Sequence, residues 1–166
     1  MHAGLETGCR YGELTRLKVS DFNADTGTLA VRKSKTSKPR DIVLTEEGQE
    51  FFGQVCAGRA GDDIMLRKDN GGSWGSSHQS KPMRQTCAGA RITPAVGFHQ
   101  LRHTGASLAI MNGTPLFVVG KNLGHRDTKM VELHYGHLAQ SYVTDAIRAG
   151  APRYGKIETG NVRRLG

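Results

Sequence analysis

The chain has 166 residues, enough to bury one real core, and its 23 Lys and Arg outnumber its 15 Asp and Glu for a formal charge of +8. Such a surplus suits a polyanionic partner, since each cation placed on a phosphate releases condensed counterions, although plain solubility accounts for it equally well. Cys9, Cys56 and Cys87 lie far apart with no CxxC, which argues against a disulfide frame or a zinc ribbon and for a reducing compartment.

No apolar run is long enough to span a bilayer, and no basic segment followed by an apolar one opens the chain. The expectation is a cytoplasmic protein with no membrane partner.

In chain order, residues 2–19 (HAGLETGCRYGELTRLKV) predict a helix broken or bent at Gly8 and Gly12, with Leu14 and Leu17 on one face. Its abrupt start suggests a fragment of a longer protein. A turn at 25–27 leads into two strands, 28–32 and 40–44, joined by a basic loop. Thr45 is placed to cap the next helix, with Glu46 and Glu47 in the first turn, where the helix dipole favours them. Residues 58–76 read as loop around a short apolar piece, IML, and 77–91 as a polar helix, with Pro94 as the next break.

A helix over 99–112 (HQLRHTGASLAIMN) closes at Gly113, and Thr114 and Pro115 start another as N-cap and first helical residue. Asp127 or Thr128 opens a short helix through MVELHY, and 141–150 form the last amphipathic one. These elements predict an α+β domain, mainly α-helical with a small antiparallel hairpin or sheet, over 1–150. Residues 151–166 form a basic, flexible tail.

The 99–112 helix carries the sharpest chemical question. At about 100° per residue, Leu101, Gly105, Leu108 and Asn112 share one side, while His99 and Arg102 lie together opposite, above Ala106 and Ala109. His99 and His103, four apart, are also spaced like two metal ligands. A HExxH site would need Glu where Gln100 stands, and a third ligand, which His125, His134 or His137 could supply. Arg102 reads as inward-facing, and a buried guanidinium requires an anion, either a protein carboxylate or a ligand phosphate.

Other residues suit a phosphate. Arg10 stands between two glycines, Lys33, Lys35 and Lys38 punctuate the basic loop, His125 follows a glycine, and Tyr135 precedes one. Taken singly, each has an ordinary reading as a surface arginine, a solvated charge, a helix-ending histidine or a core tyrosine.

Taken together, RxxEL, a hairpin lysine, HxxRH, LGH and a tyrosine ten residues after that last His resemble the catalytic domain of the tyrosine recombinases, the phage integrase family. The likeness runs from about Leu5 to Arg148 and extends to filler such as HYGHLAQSYVTDAIR. It implies the tyrosine recombinase catalytic fold and site-specific DNA recombination through a 3′-phosphotyrosine, with no metal and no cofactor.

Carried over by motif, Arg10 and Arg102 clamp the scissile phosphate, Lys35 is the general acid, His99 assists proton transfer or orients the phosphate, His125 donates to a non-bridging oxygen, and Tyr135 is the nucleophile. Glu13 braces these side chains and His103 is supporting or structural. Lys33, Lys38, Arg40 and Arg126 are expected to contact DNA. The partner implied is double-stranded DNA, in a bacterial or phage setting, with a homotetramer formed by the full-length protein.

Family members usually carry an N-terminal DNA-binding domain, and the chain is read as lacking one. Two alternatives share the motifs: strand relaxation of the type IB topoisomerase kind, and a truncated remnant that only binds DNA.

Overall fold

The computed structural model describes residues 1–32, 38–125, 129–139, 144, 147–152 and 155. The loop lysines at 33 and 35, the helix start expected at 127 or 128, half of the expected 141–150 helix and most of the tail lie outside these residues.

Helix α1 (His2–Thr7) stops at Gly8, which adopts a left-handed φ of 58°. A Cβ at Gly8 would sit 2.5 Å from Leu123 Cδ2, so both conformation and space demand glycine. Gly12 breaks nothing. It lies inside α2 (Tyr11–Leu14), whose start is set by Glu13 reaching back to accept the Arg10 backbone N–H at 3.0 Å.

Three antiparallel strands follow in the order β1 (Phe22–Asn23), β2 (Thr28–Val31) and β3 (Arg40–Val43), with Leu29 paired both to Phe22 and to Ile42. Strand β1 was not anticipated, because two residues are too few to show alternation. It forms where Asn23 Oδ1 accepts the N–H groups of Asp25 and Thr26 and folds the turn back. Alternation buries Leu29, Val31 and Ile42 on one face.

Helix α3 (Glu46–Cys56) is capped as expected, Thr45 Oγ1 accepting the Gly48 N–H at 2.9 Å, and lays Phe52 over the sheet cluster. The apolar IML piece is stitched in by a bridge between Lys18 and Ile64, and Met65 is buried. Helix α4 (Ser80–Gly89) is shorter than the 77–91 expected and buries Met83 and Cys87.

Helix α5 (Phe98–Met111) buries the line Arg102, Ala106 and Ile110, at four-residue spacing. Its Gly105 backs onto the Leu5 carbonyl of α1. Leu108, grouped with Leu101 and Gly105 on one side, is 52% exposed: α1 packs on the earlier turns, and no described residue covers this one.

Helix α6 (Leu116–Leu123) has Pro115 as its N-cap, not its first residue, because the Pro115 ψ of 139° is extended. Thr114 is therefore displaced from the cap. Helix α7 (Lys129–Tyr135) turns Val131 and Tyr135 inward and runs into a 3₁₀ turn over Gly136–Ala139.

Two apolar clusters result. One joins α1, α2, the sheet and α3; the other joins α5, α6 and α7 around Ile110, Leu123 and Val131. Phe52 is completely buried in the first. Phe52→Ala is expected to lower unfolding free energy by about 3–5 kcal/mol, read from urea denaturation. A loss below about 1 kcal/mol would place Phe52 outside the stabilising core.

Candidate active site

The side chain that links the two clusters is Arg102, whose residue is only 4% exposed. Its Nη1 donates to the Gly8 carbonyl at 2.5 Å, and its Nη2 donates to the Leu123 carbonyl and to His125 Nε2, both at 2.9 Å. The two carbonyls come from the ends of α1 and α6, each closed by a left-handed glycine, Gly8 and Gly124. Burial, and then the charges of Arg10 and Arg40, bring the Arg102 pKa down to about 10, so it stays protonated at neutral pH.

Arg10 and Arg40 share one carboxylate. Arg10 Nη1 donates to Glu13 Oε1 at 3.2 Å, while Arg40 donates through Nη1 to Oε1 at 3.2 Å and through Nη2 to Oε2 at 3.0 Å. Arg40 Nε also donates to the Asn122 carbonyl at 3.0 Å, and its side chain is only 9% exposed. This corrects the expectation that Arg40 contacts DNA: its fork is committed to Glu13 and to α6. Among the described residues, three guanidiniums gather here around the single carboxylate of Glu13, and the Arg10 side chain remains 38% exposed. The cluster is left cationic and open at Arg10.

His125 follows Gly124 and accepts from Arg102 at Nε2, because a guanidinium can only donate. The ring proton therefore sits on Nδ1, which is buried without a hydrogen-bond partner among the described residues. Burial, then Arg102 and Arg10, lower the His125 pKa and keep the ring neutral.

Tyr135 closes the site from the end of α7. It is 4% exposed, and its Oη lies 2.5 Å from His103 Nδ1. Burial raises the phenol pKa, with Arg102 acting against it. His103 is half-buried and flanked by two further rings, His99 at 4.8 Å and His134 at 5.9 Å between centroids. Burial, and then His99, His134 and Arg102, lower its pKa.

The structure thus brings Arg10, Glu13, Arg102, His103, His125 and Tyr135 into one network, with exposed His99 at its rim. Lys38 is exposed, and Lys33, Lys35 and Arg126 fall outside the described residues. Two members were read in other roles: Arg40, with no local signal beyond its place after Pro39, as a DNA contact, and His134, adjacent to Tyr135, only as a spare metal ligand. Among the described residues the donors that converge to within 4.8 Å are His2, Glu6 and Glu47, and none belongs to this network.

Chemically, the arrangement sets a cationic cluster beside a buried phenol with an imidazole on its oxygen. The architecture is that of a tyrosine recombinase catalytic domain. Residues 1–141 match the phage integrase family, and the chain belongs to it.

The tyrosine recombinase XerC of Lactobacillus delbrueckii subsp. bulgaricus is 26% identical over 155 residues, covering 89% of this chain and 52% of the relative. The crystal structure of XerA recombinase is 27% identical with a TM-score of 0.70, over 91% of this chain and 57% of that one. The catalytic domain of bacteriophage HP1 integrase is 26% identical with a TM-score of 0.61, over 90% and 79%. The chain spans about half the length of the curated relatives it matches.

Removing the Glu13 charge leaves buried arginine unpaired, so Glu13→Gln is expected to cost about 3–5 kcal/mol in urea denaturation. Added sulfate should recover part of that loss more strongly than it stabilises the unaltered chain. Equal sulfate effects on both would mean that Glu13 does not neutralise the cluster.

Proposed function

We propose that this chain is the catalytic part of a site-specific DNA recombinase, cutting and rejoining strands through a 3′-phosphotyrosine intermediate. The observation that carries the reading is the pairing of Arg10 and Arg40 with Glu13 in the field of Arg102, whose charge also acts on the buried Tyr135 phenol. A phosphodiester has one negative charge and its five-coordinate transition state has more. Fixed guanidinium donors act where that charge grows.

In this reading Tyr135 attacks phosphorus, Arg10 and Arg102 hold the non-bridging oxygens, and Glu13 and Arg40 brace them. Lys35 supplies the proton to the departing 5′ oxygen, and His99 orients the phosphate. The phosphotyrosine ester conserves the energy of the broken linkage, so rejoining needs no nucleotide.

His125 gives the reading a pH consequence. To donate to a phosphate oxygen, Nε2 must release Arg102 and acquire a proton. An incoming anion raises the pKa that burial and the arginines have lowered, so phosphate binding and proton uptake at His125 favour each other.

The partner is double-stranded DNA, which the formal charge of +8 and the phosphate-suited cluster both favour. Lys33, Lys38 and Arg126 add backbone contacts that position but do not specify. The whole protein acts as a homotetramer on its DNA in this reading.

Covalent capture tests the proposal. The protein is mixed, in excess EDTA, with a pool of nicked suicide duplexes, and a protease-sensitive, SDS-resistant adduct is sought. The expected result is an adduct with the unaltered chain and none with Tyr135→Phe, which still binds DNA. An adduct abolished by Tyr142→Phe instead would overturn the nucleophile. Arg102→Lys is expected to slow adduct formation by roughly a hundredfold to a thousandfold, because a point charge cannot reproduce the fork.

A further inference from the structure

The shortest side-chain link to the Tyr135 oxygen comes from His103, a residue with no reacting role in the reading above. His103 Nδ1 lies 2.5 Å from Tyr135 Oη across the α5–α7 packing. Both ends are held. His103 adjoins Arg102, which is tied to the carbonyls of Gly8 and Leu123, and Tyr135 is packed in the same apolar cluster as Val131.

We propose that His103 is the proton acceptor for Tyr135, its Nδ1 taking the phenolic hydrogen as the oxygen attacks phosphorus and returning it when the strand is rejoined. The proposal rests on Tyr135 as nucleophile. In the forward step the Tyr135 O–H bond breaks and an N–H bond forms on His103, giving an imidazolium. The O–P bond forms, the P–O5′ bond breaks, and the 5′ oxygen receives its proton from the general acid assigned to Lys35.

The proposal assigns His103 the tautomer with its hydrogen on Nε2, which leaves the Nδ1 lone pair facing the phenol. A protonated phenol has one hydrogen to place, and a neutral imidazole has one lone pair to receive it. His103 is kept neutral by burial and by the groups facing it: His99 and Arg102 from its own helix, and His134 from α7. Burial holds the Tyr135 phenol above its ordinary pKa, with Arg102 acting against it, so the phenol carries its hydrogen until a base takes it.

A phenol near pKa ~10 beside an imidazole near ~6.5 would transfer its proton in the ground state in fewer than about one molecule in a thousand. The transfer is therefore concerted with attack, as general base catalysis requires. A His103 pKa below the ordinary value also means that the base remains competent down through mildly acidic pH.

Two measurements on the full chain test this. The first is ¹⁵N NMR of histidine-labelled protein without DNA. The expected result is that His103 Nδ1 is unprotonated and hydrogen-bonded, and that the bond disappears in Tyr135→Phe. A hydrogen resident on Nδ1, or a spectrum that Tyr135→Phe leaves unchanged, overturns the proposal.

The second is the pH profile of single-turnover adduct formation for the unaltered chain, His103→Gln and His103→Ala. His103→Gln keeps a polar group near the phenol but accepts no proton. It is expected to lose about 10²–10⁴-fold in rate together with the acidic limb of the profile. Imidazole in the buffer is expected to restore His103→Ala. A uniform loss that leaves the acidic limb in place assigns His103 a purely structural role and overturns the proposal. Absence of any adduct from the unaltered chain is a failure of the recombinase reading, and the NMR result then still decides which atom holds the proton.

Discussion

Arg102 reaches across the molecule to two main-chain oxygens, the Gly8 carbonyl at the end of α1 and the Leu123 carbonyl at the end of α6, and the two apolar clusters meet at that bond pair. Arg40 repeats the tie from the sheet, joining Glu13 to the Asn122 carbonyl. Helix ends leave carbonyls without intrahelical partners, and here guanidiniums satisfy them. The same hydrogen bonds that set the position of α6 also hold the cationic side chains in place.

That economy has a cost. Burial, and then the charges of Arg10 and Arg40, lower the Arg102 pKa to about 10. Unfolding or an arriving anion relieves that cost, and in the proposed function the anion is a DNA phosphate. The histidines feel the same field: burial first, and then nearby charges, lower the pKa of both His125 and His103.

The elements that sequence reading located well are those with a local physical signature. Thr45 caps α3 because its hydroxyl needs only the N–H three residues on. Gly8 ends a helix because only its backbone allows the left-handed turn. Where the deciding force was not local, the reading slipped. Gly12 was taken as a break although Glu13 anchors a helical turn through it. Leu108 was placed with a helical stripe, but the short α1 does not reach it. Arg40 was taken as a DNA contact because nothing near it in the chain reveals Glu13, twenty-seven residues earlier, or Asn122, eighty-two residues later.

By itself the sequence determined which residue types are present, in which order and on which helices, and that was enough for the family: RxxEL, HxxRH, LGH and the following tyrosine keep their spacing along the chain. It also indicated that Arg102 faces inward, from a helix that is apolar or small around most of its circumference, and the structure buries it in line with Ala106 and Ile110. Only the tertiary structure decided which groups share a proton or a charge. The His103–Tyr135 bond spans thirty-two residues and depends on how α5 packs against α7. Hydrogen-bond partners at such separations are chosen by packing to within tenths of an ångström, and periodicity along one helix carries no information about the distance to another.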